Sequence, residues 1–155
     1  MAAGKSSMHE DPQRTLLKAK IRPGCILYLP CDFIVKPHPK YMIVLHVDYG
    51  QDLILIFLAN SMIHPLIANN PDLNARQVPL RKSEYPFFDH DSFMDCTEVF
   101  ADVDIEKAID YLLKNPGDYK GHLRENEIFE LIKAVNSAKT ITDFDRELIM
   151  ASLGE

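Results

Sequence analysis

The sequence has few of the features that build phosphate-binding loops or common hydrolase sites. It contains only six glycines and neither a Gly-x-Gly-x-x-Gly run nor a P-loop, so main-chain amides are not predicted to cradle a nucleotide. The Gly-x-Ser-x-Gly nucleophile elbow and the zinc motif His-Glu-x-x-His are also absent. No cofactor is predicted.

Long apolar runs are absent too. The longest run, residues 53–59, has the length of a strand and falls far short of the roughly 20 residues that span a bilayer. The first residues lack the apolar core of a signal peptide. We therefore expect a cytoplasmic protein with no membrane partner.

Cysteine is scarce, and its spacing excludes two kinds of small scaffold. The three cysteines, Cys25, Cys31 and Cys96, are odd in number and form no Cys-x-x-Cys pair. A disulfide framework or a zinc knuckle is therefore not expected. We predict three buried free thiols, because free cysteine behaves as a small hydrophobic residue.

Charge is unevenly distributed along the 155 residues. Residues 1–82 hold ten Lys/Arg and six Asp/Glu, whereas residues 83–155 hold seven and seventeen, so +4 and −10 give the net charge of −6. The whole chain is not a basic nucleic-acid binder, and any RNA contact must be local.

The order of the elements predicts an α+β fold. Residues 1–14 are polar and small and are predicted to be a disordered tail, with a single domain at 15–155. Apolar runs at 25–29, 41–47 and 53–59 predict strands, Pro79 marks an edge strand, and a further strand is expected from Asp95. Residues 22–100 are thus a small SH3-like β-barrel or a strongly curved antiparallel sheet.

The character of the sequence changes at Asp102, where helical spacing begins. Helices are predicted after an Asp104 N-cap, from Glu125 to Ala138, and after a Thr142 cap. Residues 102–155 are therefore predicted to be a helical extension. Strands followed by helices argue against a doubly wound sheet.

The densest polar segment is 88–96, which contains Asp89, His90, Asp91, Ser92 and Asp95. Three interpretations remain open for it. The carboxylates and imidazole could bind a metal, the aspartates could cap amides in a solvated turn, or the segment could form a catalytic rim.

A second polar segment, 36–40, places His38 and Lys40 on a stiff loop that enters a strand. It is either an ordinary exposed loop or a phosphate contact. A metal-free ribonuclease needs a base, an acid and a cation, and His38, Lys40, His90 and Ser92 are of the right types.

Three segments, 24–29, 40–45 and 92–99, resemble motifs of the PemK/MazF-like toxin family. The resemblance implies an SH3-like barrel with added helices, metal-independent cleavage of single-stranded RNA, a homodimer and an antitoxin partner. It gives Lys40 the role of phosphate-side cation and Ser92 the role of hydroxyl contributor.

The sequence is therefore compatible with three functions. The first is a toxin-like endoribonuclease. The second is a non-catalytic protein-binding module on the same fold, which uses the aromatic residues Tyr41, Phe87, Phe88 and Phe93. The third is a metal-dependent hydrolase at the Asp89–Asp95 segment.

Overall fold

The structure, a computed structural model, describes residues 11–154. The helices are α1 (Pro12–Lys20), α2 (Pro65–Ala68), α3 (Pro71–Asn74), α4 (Ile105–Lys114), α5 (Glu125–Ser137) and α6 (Asp143–Leu153). The strands are β1 (Cys25–Leu29), β2 (Lys40–Asp48), β3 (Leu53–Asn60), β4 (Gln77–Leu80), β5 (Ser92–Asp95) and β6 (Tyr119–His122).

The six strands form one curled antiparallel sheet in the order β4-β5-β3-β2-β1-β6. The prediction of an α+β fold with a strongly curved antiparallel sheet and C-terminal helices is confirmed. The predicted edge position of the strand with Pro79 is also confirmed, because β4 is the first strand of the sheet.

Helices cover both faces of the sheet. The first face, which includes Ile43 and Phe57, packs against α5 and α6. The second face, which includes Met42 and Ile56, packs against α1 and α4. This double coverage explains why β2 and β3 are apolar at successive positions instead of alternating with polar residues.

Two predicted boundaries differ from the structure. The segment 102–155 is not wholly helical, because β6 pairs with β1 and extends the sheet. Its Tyr-Lys-Gly-His sequence has no strand pattern, and the register shifts beside Gly121, which has a φ of 115°. The strand that was predicted to begin at Asp95 instead begins at Ser92 and ends at Asp95.

The N-terminal prediction is tested only in part. Residues 1–10 of the predicted tail lie outside the described residues, and helix α1 starts at Pro12, inside the predicted tail. Asp11 caps this helix, since its carboxylate accepts from the Gln13 amide at 3.0 Å. Across residues 11–154, no helix is long and apolar enough to cross a bilayer.

The predicted helix starts are confirmed. Asp104 accepts from the Lys107 amide at 3.1 Å, and Thr142 accepts from the Asp145 amide at 3.2 Å. Such caps satisfy amides that have no partner in the first turn. Helix α5 begins at Glu125 as predicted and ends one residue earlier than expected.

Candidate functional site

Three loops leave the same end of the sheet and bring the polar segments into one region. Leu29 lies opposite Lys40, Asn60 lies opposite Phe93, and Leu80 lies opposite Ser92. The loops 30–39, 61–76 and 81–91 therefore all start at this end. His38, Lys40, His90 and Ser92 share this end of the molecule, although not one surface.

Lys40 lies on the second face, because its cross-strand partner Leu29 belongs to the core of that face. Its ammonium donates a hydrogen bond to Oδ1 of Asn60. Burial lowers the pKa of Lys40, because a half-buried ammonium loses hydration, and the nearby Cys31 and Asp95 act in the opposite direction.

A cavity of about 330 Å³ lies between Lys40 and the loop that follows β3. We call it the Lys40 cleft; it is lined by Lys40, Asn60, Ser61, Met62, Ile63, His64, Pro65, Ile67 and Gln77. The lining combines one ammonium and two amides with the apolar side chains of a loop. Such a lining offers apolar contact and one positive charge to a ligand.

Two large apolar side chains are exposed on this loop. Met62 is 69% exposed and, four residues later, Leu66 is 76% exposed. The loop is held in place by short helices, since His64 Nδ1 accepts from the Leu66 amide and Asn70 accepts from the Leu73 amide. The exposed side chains are thus presented from a capped backbone.

Ser92 does not meet Lys40. It is buried at the start of β5, two residues before Met94, which belongs to the core of the first face. Successive strand residues point to opposite faces, so Ser92 and Met94 share the first face while Lys40 lies on the second. Strand β3 also separates β5 from β2.

The two predicted catalytic histidines are on separate exposed loops. His38 Nδ1 lies 2.6 Å from the carbonyl oxygen of Lys36, in its own loop. The carbonyl oxygen of His90 accepts from the Ser92 hydroxyl at 3.5 Å. Between residues 11 and 154, no hydrogen bond joins either imidazole to the ammonium of Lys40 or to the hydroxyl of Ser92.

The acidic segment caps turns. Asp91 accepts from the Lys82 amide at 2.8 Å, and Asp95 accepts from the Thr97 amide at 3.0 Å. Asp95 also accepts from Nε2 of Gln77 at 2.8 Å. These contacts support the amide-capping interpretation. Over residues 11–154, no group of three or more His, Cys, Asp or Glu side chains is placed to hold a metal ion.

The aromatic residues predicted to form a docking surface do not form one. Phe88 is buried in the core of the first face, where it packs against Tyr41 and Phe87. Phe93 lies on the opposite face, since it pairs with Asn60 and precedes the buried Met94. The exposed residues Met62 and Leu66 were not predicted from the sequence. They could have been noticed because the segment that contains them, although it contains proline, is more apolar than an ordinary loop.

All three cysteines are buried free thiols, as predicted. Burial raises the pKa of Cys25 to about 12 and the pKa of Cys96 well above its ordinary value. We therefore expect almost no reaction of the native protein with Ellman's reagent at mildly alkaline pH, and three rapid reactions after unfolding in guanidinium. A native thiol that reacts within seconds would contradict this burial.

Comparisons with known proteins do not assign this chain to a family. No protein-family model, curated protein or solved structure matches this chain. The resemblance to PemK/MazF-like toxins therefore stays a prediction.

Proposed function

We propose that this chain is a non-catalytic protein-binding module, and that its Lys40 cleft receives an acidic segment of a partner protein. The observation that carries the proposal is that the half-buried Lys40 lines a cavity together with the exposed Met62, and that a second exposed apolar side chain, Leu66, lies on the same loop. Exposed apolar side chains around a polar pocket are typical of interaction surfaces.

The charge pattern of the cleft favours a carboxylate over a nucleic-acid backbone. Lys40 is the one lysine or arginine among the lining residues, and Asp95 lies near enough to interact with it. A backbone of successive phosphates requires several cations, and the cleft supplies one. One half-buried ammonium is suited to one carboxylate, since a charge-assisted hydrogen bond is stronger when water is excluded.

The same geometry gives little support to the ribonuclease function. Ser92 is buried on the other face, and within residues 11–154 no hydrogen bond joins either histidine ring to Lys40 or to the Ser92 hydroxyl. A base, an acid and a cation must reach one phosphate together. The predicted RNA cleavage, antitoxin-like partner, homodimer and cytoplasmic location therefore stay predictions.

Replacing Lys40 with glutamine is expected to weaken the binding of an acidic peptide by roughly tenfold or more, because one charge-assisted hydrogen bond is lost. The probe is a short fluorescein-labelled peptide in which glutamate alternates with leucine and threonine, and the readout is fluorescence anisotropy. Lys139→Gln is the matched control, since Lys139 is exposed, precedes α6 and does not line the cleft.

Two comparisons make this test decisive. A peptide with lysine in place of every glutamate should bind at least tenfold more weakly than the acidic peptide. Equal binding of the two peptides, or equal effects of Lys40→Gln and Lys139→Gln, would contradict recognition of a carboxylate by Lys40.

A further inference from the structure

The outer edge of β4 carries main-chain groups that face away from the sheet. The register pairs Gln77 with Asp95 and Val78 with Met94, and the Cys96 amide donates to the Arg76 carbonyl at 3.1 Å. In an antiparallel pair, alternate residues direct both main-chain groups to the same neighbour. The main-chain groups of Val78 and Leu80 and the carbonyl of Arg76 therefore face β5, whereas the N–H and C=O of Gln77 and the C=O of Pro79 face outward.

A groove runs between this edge and helix α5. It encloses about 270 Å³ and is lined by residues 75–79 of the edge segment and by Glu130, Lys133, Ala134 and Ser137 of α5. A strand edge beside a helix is the arrangement in which added peptide strands bind in several recognition domains.

The groove has cationic groups of its own. The guanidinium of Arg76 donates to the Ser137 carbonyl at 3.3 Å and pairs with Asp72 at 3.5 Å, and its Nε is buried without a partner. Lys133 contributes a second cation, and its ion pair with Glu130 spans 3.8 Å between exposed side chains, so that pairing is weak. Glu130 also lines the groove, so the attraction for an acidic ligand comes mainly from the weakly paired Lys133.

Gln77 connects the two cavities, because it lines both the groove and the Lys40 cleft. The cleft lies toward the second face of the sheet, and α5 covers the first face. A strand placed beside β4 would direct alternate side chains toward each of them, since side chains of a strand alternate between faces.

We infer that the partner segment is an extended acidic peptide that adds to β4 as a seventh strand, with its main chain bonded to Gln77. This inference rests on the proposed function and specifies its binding mode. One peptide residue accepts from the Gln77 N–H and donates to the Gln77 C=O, and a second donates to the Pro79 C=O. Pro79 has no N–H to donate, which limits the registers available and disfavours pairing between copies of this chain.

The test is a pair of substitutions at one position. Gln77→Pro removes the outward N–H, and Gln77→Ala keeps it; both remove the side-chain bond to Asp95. Because this N–H makes no ladder bond within the sheet, Gln77→Pro leaves the β4–β5 ladder intact. We expect Gln77→Pro to weaken binding of the acidic peptide at least fivefold relative to Gln77→Ala.

Modified peptides test the same bonds without altering the protein. Two peptides are compared, each N-methylated at one of the two sets of alternate amides. Methylation of the set that donates to Gln77 and Pro79 should abolish binding, whereas methylation of the other set should leave the affinity within about twofold. The amide NMR shifts of Gln77, Val78 and Leu80 should move on titration with the unmodified acidic peptide.

The outcomes separate the binding mode from the function. Binding that depends on Lys40 but is indifferent to amide methylation and to Gln77→Pro would overturn strand addition and leave the binding module intact. Absence of binding by any acidic peptide to the folded protein would overturn both proposals.

Discussion

Replacing Gly24 with alanine is expected to lower the free energy of unfolding by about 2–4 kcal/mol. Gly24 has a φ of 95°, which is strained for a residue with a Cβ. A Cβ at this position would also lie 2.6 Å from Nε2 of His122 and 3.2 Å from Cδ1 of Ile128. The free-energy costs of backbone strain and of steric overlap therefore add.

The surrounding contacts resist relief of that overlap. The His122 ring is held between the carbonyl oxygens of Pro23, at 2.9 Å, and Leu123, at 3.0 Å. Gly24 itself donates to the Val44 carbonyl and accepts from the Leu123 amide, so the turn joins β2 to the segment before α5. Movement of either partner breaks hydrogen bonds.

The chain offers two matched controls for Gly24→Ala, and urea unfolding measures all three. Gly121 has a φ of 115° with no atom within 4 Å of an added Cβ, and Gly117 is open with no positive φ. We expect Gly121→Ala to cost about 1–2 kcal/mol from strain alone and Gly117→Ala to change little. A Gly24→Ala cost no greater than that of Gly121→Ala would contradict the tight contact with His122.

Replacing Tyr85 with phenylalanine is expected to cost about 2–3 kcal/mol of stability, because it leaves a buried charge underpaired. The Tyr85 hydroxyl donates to Glu127 Oε1 at 2.6 Å and accepts from the Arg124 amide at 2.9 Å. Glu127 is only 5% exposed, and Asn126 is the other side-chain donor to its carboxylate. Loss of the hydroxyl leaves one carboxylate oxygen and one helix-start amide without partners.

Tyr119→Phe is the control for this substitution, since the Tyr119 hydroxyl donates to the Lys20 carbonyl at an exposed site. It should cost less than about 1 kcal/mol in urea unfolding. Glu127→Gln should reduce the cost of Tyr85→Phe, because the unpaired group would then be neutral. Equal costs for Tyr85→Phe and Tyr119→Phe would contradict the structural role of the buried pair.

Burial and the bond to Glu127 raise the pKa of Tyr85 above its ordinary value of 10.0. A phenol whose pKa is higher in the folded than in the unfolded state contributes its full stabilisation at pH values below the unfolded pKa. This contribution falls as the pH rises above about 10, because the unfolded state then loses its proton more readily than the folded state. The difference in stability between the wild type and Tyr85→Phe should therefore be constant at neutral pH and shrink in strong alkali.

Most of the sheet was predictable because β-branched and aromatic runs at 25–29, 41–47 and 53–59 read directly as strands. The helix caps at Asp104 and Thr142 were also predictable, because each depends only on residues that are close in sequence. Strand β6 was not predictable, since its sequence carries no strand pattern and its pairing depends on β1, about a hundred residues earlier. Pairing with β1, rather than local sequence preference, determines that these residues form strand β6.

The site was less predictable than the fold. Lys40 was singled out, and it does line a cleft, but its expected companion Ser92 lies on the other face. A strand start one residue earlier or later changes which face a side chain occupies, and residue types alone do not fix that register. Met62 and Leu66 were missed because they lie in a segment read as a simple loop.

Incubation with a long structureless RNA, in EDTA and then in Mg²⁺ or Mn²⁺, tests whether the protein is free of nuclease activity, as a non-catalytic binding module requires. We expect intact RNA under all three conditions, with protein shown to be folded by circular dichroism. Site-limited cleavage in EDTA that both Lys40→Ala and Ser92→Ala abolish would contradict this expectation and would establish the endoribonuclease function instead.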